Sequence, residues 1–489
     1  MDITKMKTVA DLKIAKYVSK SIKDELRDNL IDKIRKGENV FEGIYGYEDT
    51  VIPNIERAIL SRHSINLLGL RGQAKTRIAR MMTKLLDDYI PTIKGSEVHD
   101  DPFCPISAFG KKQLEDNGDK TEIKWISSRD RYVEKLATPD VSIADLIGDV
   151  DPIKAANLKL DYSNERVIHF GMIPRANRCI FVINELPDLQ ARIQVALFNI
   201  LQEGDIQIRG FQLRFPLDIQ FVFTANPEDY TNRGSIITPL KDRIQSQIMT
   251  HYPKTIDLAK EITKSEAKLS DAQEEQITTP EIIKDLLEQI SFEARNSEYI
   301  DEKSGVSARL SISAYETVHS AAERRILKNK EKKTTIRISD LTQVIPAIIG
   351  KIEMVYEGEQ EGAVNVSYAL IRSAIRTEAL KYFPELKDLK KKQNKNSEAY
   401  NEVMAWFSAN RLDLINDNSD KDYKASLKKV VSLESIIKSK FPTLPADAKF
   451  LMMEFLLHAM SEYSYLNKDY LEKSFQFGDL FSSMFSGES

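Results

Sequence analysis

Asn66-Leu67-Leu68-Gly69-Leu70-Arg71-Gly72-Gln73-Ala74-Lys75-Thr76-Arg77 reads as the end of a short apolar strand, a glycine-bearing loop, and a lysine and threonine that open a helix. That order suits a phosphate cradle. Loop and helix-end N–H groups face an anion, and the helix dipole favours negative charge there. Lys75 would reach the outer phosphates and the Thr76 hydroxyl would bind Mg²⁺. Gly69, Gly72, Gln73, Ala74, Lys75, Thr76 and Arg77 are the cofactor-binding candidates. The pattern departs from G-x-x-x-x-G-K-[ST] at Ala74, where a methyl group costs on the order of 1 kcal/mol if φ is positive, or else shifts the loop. Ile65 to Leu68 supply the strand, and Ile78, Ala79, Met81, Met82, Leu85 and Leu86 an apolar helical face. A plain strand–turn–helix with a surface lysine is the alternative for the stretch taken alone.

The chain around it has 489 residues, enough for two or more domains. Hydrophobic residues at 42% and charged residues at 29% describe a globular, helix-rich protein. A net charge of −4 argues against a coat for nucleic acid. Two cysteines, Cys104 and Cys179, are too few for a disulfide framework or a zinc site, and Cys179 lies in an apolar run that suits a buried thiol. The first residues hold no apolar segment of signal-peptide type, and the run Phe450 to Leu457 is short and interrupted by Glu454. The expectation is a cytoplasmic protein with no membrane insertion.

Along the chain, residues 10–37 read as one amphipathic helix or a pair, and a helix follows Thr50 through Leu60. Residues 91–130 carry scattered proline and glycine and read as a loop-rich insertion. Tyr132 to Leu136 reads as a strand. Cys179 to Ile183 is a continuous apolar run suited to a strand covered on both faces. A helix is expected from Pro187 through Gln202, a hairpin over 205–213, and a second buried strand from Asp218 to Ala225. After about residue 256 the pattern is helical. The basic stretches 324–337 and 390–392 read as solvated helix ends rather than a nucleic-acid patch. The aromatic tail Phe475 to Phe481 would dock a partner or pack on its own domain.

Phosphoanhydride hydrolysis needs a cradle, a metal, an oriented water and positive charge for the transition state. Glu185, at the tip of a buried strand, is placed to polarise the water. Asn226, at the tip of the next, would hold that water or the γ-phosphate. Arg243 and Arg309 are candidate charge stabilisers. Singly, each has a plainer reading as a turn former or surface charge.

From roughly residue 38 to 350 the sequence resembles AAA+ ATPases of the magnesium-chelatase subunit and MoxR clade. The stretches that carry it are Arg175 to Glu185, similar to the approach to Walker B; Ala137 to Pro152, similar to the segment after strand 2; and Glu203 to Glu228, similar to the pre-sensor hairpin and sensor 1. Cys104-Pro105 sits where chelatase subunits carry a loop insertion.

The resemblance implies an α/β fold: an AAA+ parallel sheet core with helices on both faces, then an α-helical lid and a C-terminal α-helical domain. The expected boundaries are 1–40 for an N-terminal helical segment, 41–255 for the core, 256–358 for the lid and 359–489 for the last domain. It implies ATP and Mg²⁺ as cofactors, and a ring, usually a hexamer, with ATP between neighbours. Arg243 would be the arginine finger, Arg309 sensor 2, and Tyr45, Tyr47 and Val51 would pack the adenine.

Asn184 occupies the Walker B aspartate position, so with Thr76 it is the metal-side candidate. It brings no charge, so Mg²⁺ should be held less firmly. With Glu185 retained, ATP binding and slow hydrolysis are expected. The leading function is ATP-driven remodelling of a partner protein, by analogy one with a von Willebrand factor A domain. Chelatase activity is not expected of this chain alone. A nucleotide-gated scaffold is the alternative, with nucleic-acid remodelling below it.

Overall fold

The computed structural model describes residues 3–160, 165–208, 214–227, 235–389, 397–471 and 474–480. The chain divides into two compact units, Met1–His251 and Tyr252–Ser489.

The first unit is built on a five-stranded sheet: β1 (Ile65–Leu68), β2 (Tyr132–Leu136), β3 (Cys179–Asn184), β4 (Ile219–Ala225) and β5 (Ser246–Met249). The order is β5-β1-β4-β3-β2 and every pair is parallel. Every residue of β3 and β4 is buried, as apolar runs covered on both faces require. On one face Ile180, Val182 and Val222 pack against α1 (Ile22–Lys36), α2 (Val51–Leu60) and α3 (Lys75–Met81). On the other, Phe181, Ile183, Phe221 and Phe223 pack with residues of α4 (Ala191–Ala196), α5 (Phe198–Gln202) and α6 (Thr238–Arg243).

Helix α1 seals the amino-terminal edge of the sheet. Ser21 Oγ accepts from Asp24 N–H at its start, and Gly37 ends it at φ 71°. Its Glu25 forms a two-pronged ion pair with Arg131 just before β2, both bonds 2.6 Å, with both side chains buried. The Ile22 N–H donates to Asp218 just before β4 (2.7 Å). Burial pushes the Asp218 carboxyl up to about 6. Removing one partner of the Glu25–Arg131 pair would strand a buried charge, a loss of about 3–5 kcal/mol.

Residues 10–37 hold the pair of helices that the sequence allowed, Val9–Ile14 and α1. Other sequence expectations are corrected. The stretch 91–130 is not loop-rich: Tyr89–Ile93 pairs antiparallel with Ile123–Ser127, and Ala108–Asn117 is a helix. Pro91 is tolerated in that strand because it pairs on one side only. The expected helix from Pro187 to Gln202 is broken into a 3-10 turn, α4 and α5, because Leu189 is extended and Gln194 spends its amide on the Leu189 and Ser235 carbonyls. The hairpin pairs Asp205–Gln207 with Arg214–Pro216, and its tip, with Arg209, lies outside the described residues, as do Glu228 and Lys390 to Lys392.

The second unit is mainly helical around one core, with α7 (Glu281–Arg295), α8 (Arg309–Asn329), α9 (Ala363–Tyr382) and α10 (Ala446–Glu462) contributing. It adds a small antiparallel sheet of Leu412–Ile415, Ser474–Gly478 and Asn467–Leu471. Glu454, the charge that interrupts the apolar run of α10, is fully buried and accepts from the Ile338 and Ser339 amides (3.0 Å each) and the Tyr423 hydroxyl (2.8 Å). The stretch 324–337 is the expected solvated helix end and loop, with Arg324, Lys328, Lys330, Lys332 and Lys333 exposed. Two of its arginines are the exception: Arg325 is buried on Asp340, and Arg337 is buried on Asp420 and stacked 4.2 Å over the Tyr423 ring. Of the aromatic tail, Phe475 and Phe477 pack inward on His458, and Phe481 lies outside the described residues. Among the described residues no helix is long and apolar enough to cross a membrane.

Within β1, Asn66 is fully buried and neither atom of its amide has a hydrogen-bond partner. An unsatisfied buried amide costs about 1–3 kcal/mol. Asn66→Val is expected to raise the stability of the first unit by about 1 kcal/mol, measured by urea unfolding followed through Trp125 in a Trp406→Phe background. An unchanged or lower midpoint would contradict the reading of Asn66.

Candidate functional site

The carboxyl ends of β1, β3, β4 and β5 converge on the loop 69–76, at the edge where open α/β sheets bind ligands. Gly69 N–H donates to the Ala225 carbonyl at the end of β4 (3.1 Å). Thr250, just after β5, donates its amide to Leu68 O (2.8 Å) and its hydroxyl to the Gln73 side chain (2.6 Å). A Cβ at Gly69 would lie 1.9 Å from Thr250 Oγ1 and 2.3 Å from Gln73 Oε1, so a side chain there would displace the Thr250–Gln73 hydrogen bond. Gln73 therefore braces the loop from beneath.

Lys75 is buried and its ammonium folds back onto the loop, donating to the Gly69 and Leu70 carbonyls, the latter at 2.9 Å. Gly72 (φ 73°) and Ala74 (φ 57°) are both left-handed. Ala74 thus takes the positive-φ alternative, in which its methyl group bears the strain. The helix that Ala74 caps runs Lys75–Met81 and continues as a 3-10 turn through Leu85.

Behind the loop lies a hydrogen-bonded chain of side chains. Thr76 Oγ1 (3.4 Å) and Thr224 Oγ1 (3.1 Å) both donate to Asn184 Oδ1. Asn184 Nδ2 donates to Glu134 Oε1 (2.5 Å), and Glu134 Oε2 accepts from Arg80 (3.0 Å). Parallel register explains the grouping: Glu134 pairs with Val182 and Leu136 with Asn184, so Glu134 and Asn184 share the face that carries α3. Glu185 leaves β3 in the left-handed region (φ 53°), its N–H donating to Thr224 Oγ1 (3.1 Å). Asn226 is buried at the end of β4.

Lys75, Thr76, Asn184, Glu185 and Asn226 thus belong to neighbouring strand tips and the loop between them. Arg243 ends α6, donating to Gln202 (3.0 Å) and Pro239 O (2.7 Å) and lying 4.8 Å over the Phe198 ring. Arg309 opens α8 in the second unit and is exposed. Of the residues expected against adenine, Tyr45 is 37% exposed, whereas Tyr47 and Val51 are buried. The Tyr47 hydroxyl lies 3.1 Å from Gln73 O and 2.7 Å from His251 O, so it ties the loop to the chain after β5. Arg77 lies beside Gly43, where a Cβ would sit 3.3 Å from Nη2. Glu134, Thr224 and Thr250 were not singled out from the sequence. A carboxylate near the end of a strand neighbouring Cys179–Asn184 was the available signal for the first. Cys179 is a buried free thiol, and burial pushes it up to about 12.

The donor set fits a magnesium-bound polyphosphate: a glycine loop with a lysine, a threonine hydroxyl, and polar strand tips. Among the described residues no group of three or more His, Cys, Asp or Glu side chains is placed to hold a metal ion.

No protein-family model matches the chain. It is similar to the magnesium-chelatase 38 kDa subunit of Rhodobacter capsulatus, 23% identical over 226 residues, covering 45% of this chain and 59% of that protein. It is also similar to the same subunit of Cereibacter sphaeroides, 24% identical over 199 residues, 40% of this chain and 53% of that one. Over less than half of its length the chain is thus similar to magnesium-chelatase subunits. The chain spans under two thirds of the length of those relatives. A solved complex of the magnesium-chelatase subunits BchI and BchD matches at 18% identity, over 65% of this chain and 97% of that one, with a TM-score of 0.34.

The left-handed Ala74 yields a direct expectation. Ala74→Gly removes about 1–2 kcal/mol of strain and adds about 0.5–1 kcal/mol of unfolded-state entropy. The first unit should gain up to about 1 kcal/mol in the same urea assay. A clear loss of stability would contradict the strained loop.

Proposed function

We propose that this chain binds ATP with Mg²⁺ at loop 69–76, hydrolyses it slowly, and uses the cycle to remodel a partner protein. The observation that carries the reading is the convergence of Lys75, Thr76, Asn184, Glu185 and Thr224 at one edge of the parallel sheet. In that reading Lys75 leaves the Gly69 and Leu70 carbonyls for the phosphates, and the loop amides take the remaining oxygens. Thr76 would hold the metal, which neutralises charge on the phosphates when bound. Glu185 would accept a hydrogen bond from the attacking water, and Asn226 would fix that water or the terminal phosphate.

Arg243 acts in trans as the arginine finger of a ring, by resemblance a hexamer, and Arg309 acts as sensor 2 from a lid spanning 256–358. The family resemblance supports both roles, and it supports a partner with a von Willebrand factor A domain. A nucleotide-gated scaffold is the second reading, favoured by the uncharged Asn184 in the Walker B position. Ring assembly that needs ATP but not its hydrolysis would select it.

Single-turnover hydrolysis of ATP by the full chain tests the enzyme reading. Lys75→Ala should abolish nucleotide binding. Glu185→Gln should keep binding and lower turnover at least about 100-fold, the usual contribution of a positioned general base. Parent turnover no faster than both variants would remove the ATPase assignment.

A further inference from the structure

The Asn184 amide is polarised by its surroundings in one sense only. Its oxygen takes the two threonine hydroxyls, and its NH₂ group is given to the Glu134 carboxylate. An aspartate at 184 would instead set two carboxylates against each other at hydrogen-bonding distance, an arrangement that resists double ionisation. Asparagine and glutamate are thus a matched pair, and the corner keeps one negative charge, moved one strand across the sheet. We propose that Glu134 supplies the carboxylate that the Walker B position lacks, facing the Mg²⁺ of a bound nucleoside triphosphate from β2. The inference rests on the nucleotide reading above.

Three observations support it. Glu134 is on the same sheet face as Asn184 and α3, the helix whose first turn holds Thr76. It reaches the Thr76 hydroxyl through one intervening side chain, Asn184. Its other oxygen is held by Arg80, a side chain that is 64% exposed and so able to swing away. With no cation present, Arg80 balances the carboxylate. A cation beside Thr76 would compete with that guanidinium for the same charge. The plainer role for Glu134, a strut for Arg80 and α3, would affect nucleotide affinity equally with and without metal.

The test measures binding of the fluorescent, non-hydrolysable analogue mant-AMPPNP to the full chain, in Mg²⁺ and in EDTA. The ratio of the two Kd values reports the metal's contribution without catalysis. Glu134→Gln should shrink that ratio about tenfold, the scale of losing a partner of a metal site, and leave the EDTA value within about twofold. Adding Asn184→Asp to Glu134→Gln should restore the ratio by returning the charge to β3. Circular dichroism melts confirm that the variants fold. A ratio unchanged by Glu134→Gln overturns the inference while leaving nucleotide binding intact, as does a double variant no better than the single one. A parent that binds no analogue in either condition overturns the nucleotide reading, and this inference with it.

Discussion

The structure depends on β3 and β4 being closed off from water on both faces. An unpaired polar side chain within such a sheet is costly, as Asn66 in β1 shows. Polar residues therefore collect at the strand ends, and the two ends are used differently. At the amino-terminal edge, Glu25, Arg131, Arg178 and Asp218 are tied to α1 and to backbone groups, and they lock the sheet to its cover. At the carboxyl edge, Thr76, Asn184, Glu185 and Thr224 are linked by side-chain hydrogen bonds, and Lys75 donates to the loop carbonyls. One edge locks the sheet to its cover, and the other carries the proposed site.

The carboxyl edge also holds backbone strain. Ala74 and Glu185 both adopt left-handed φ without being glycine, and both flank the same corner. Such positions cost of order 1–3 kcal/mol each and persist only where the surroundings impose them. Here the imposing contacts are visible: Gln73 braced by Thr250 below the loop, and Thr224 accepting from the Glu185 amide. At Glu185 the left-handed turn ends β3, so this residue leaves the strand's alternation between the two sheet faces.

Much of this was legible in the sequence, for identifiable reasons. The runs Cys179 to Ile183 and Asp218 to Ala225 could only be doubly covered strands, and residues at their tips followed from that. The loop was legible because its chemistry demands particular residues at fixed spacing. Other features were not, because their cause is tertiary. Nothing local to Glu134 says that its neighbour across the sheet will be Asn184; that needs the strand order. Within the solvated basic stretch, the burial of Arg325 and Arg337 could not be read because their counter-charges, Asp340 and Asp420, lie 15 and 83 residues away. Residues 91–130 looked irregular because proline and glycine mask a two-strand pairing bridged by a helix.

The most direct test of the central claim is an experimental structure of the full chain with AMPPNP and Mn²⁺, with the cation located by its anomalous signal. The account predicts phosphates within the loop 69–76, Lys75 Nζ withdrawn from the Gly69 and Leu70 carbonyls, and Mn²⁺ beside Thr76 Oγ1. Nucleotide bound elsewhere, with Lys75 still folded onto those carbonyls, would contradict it.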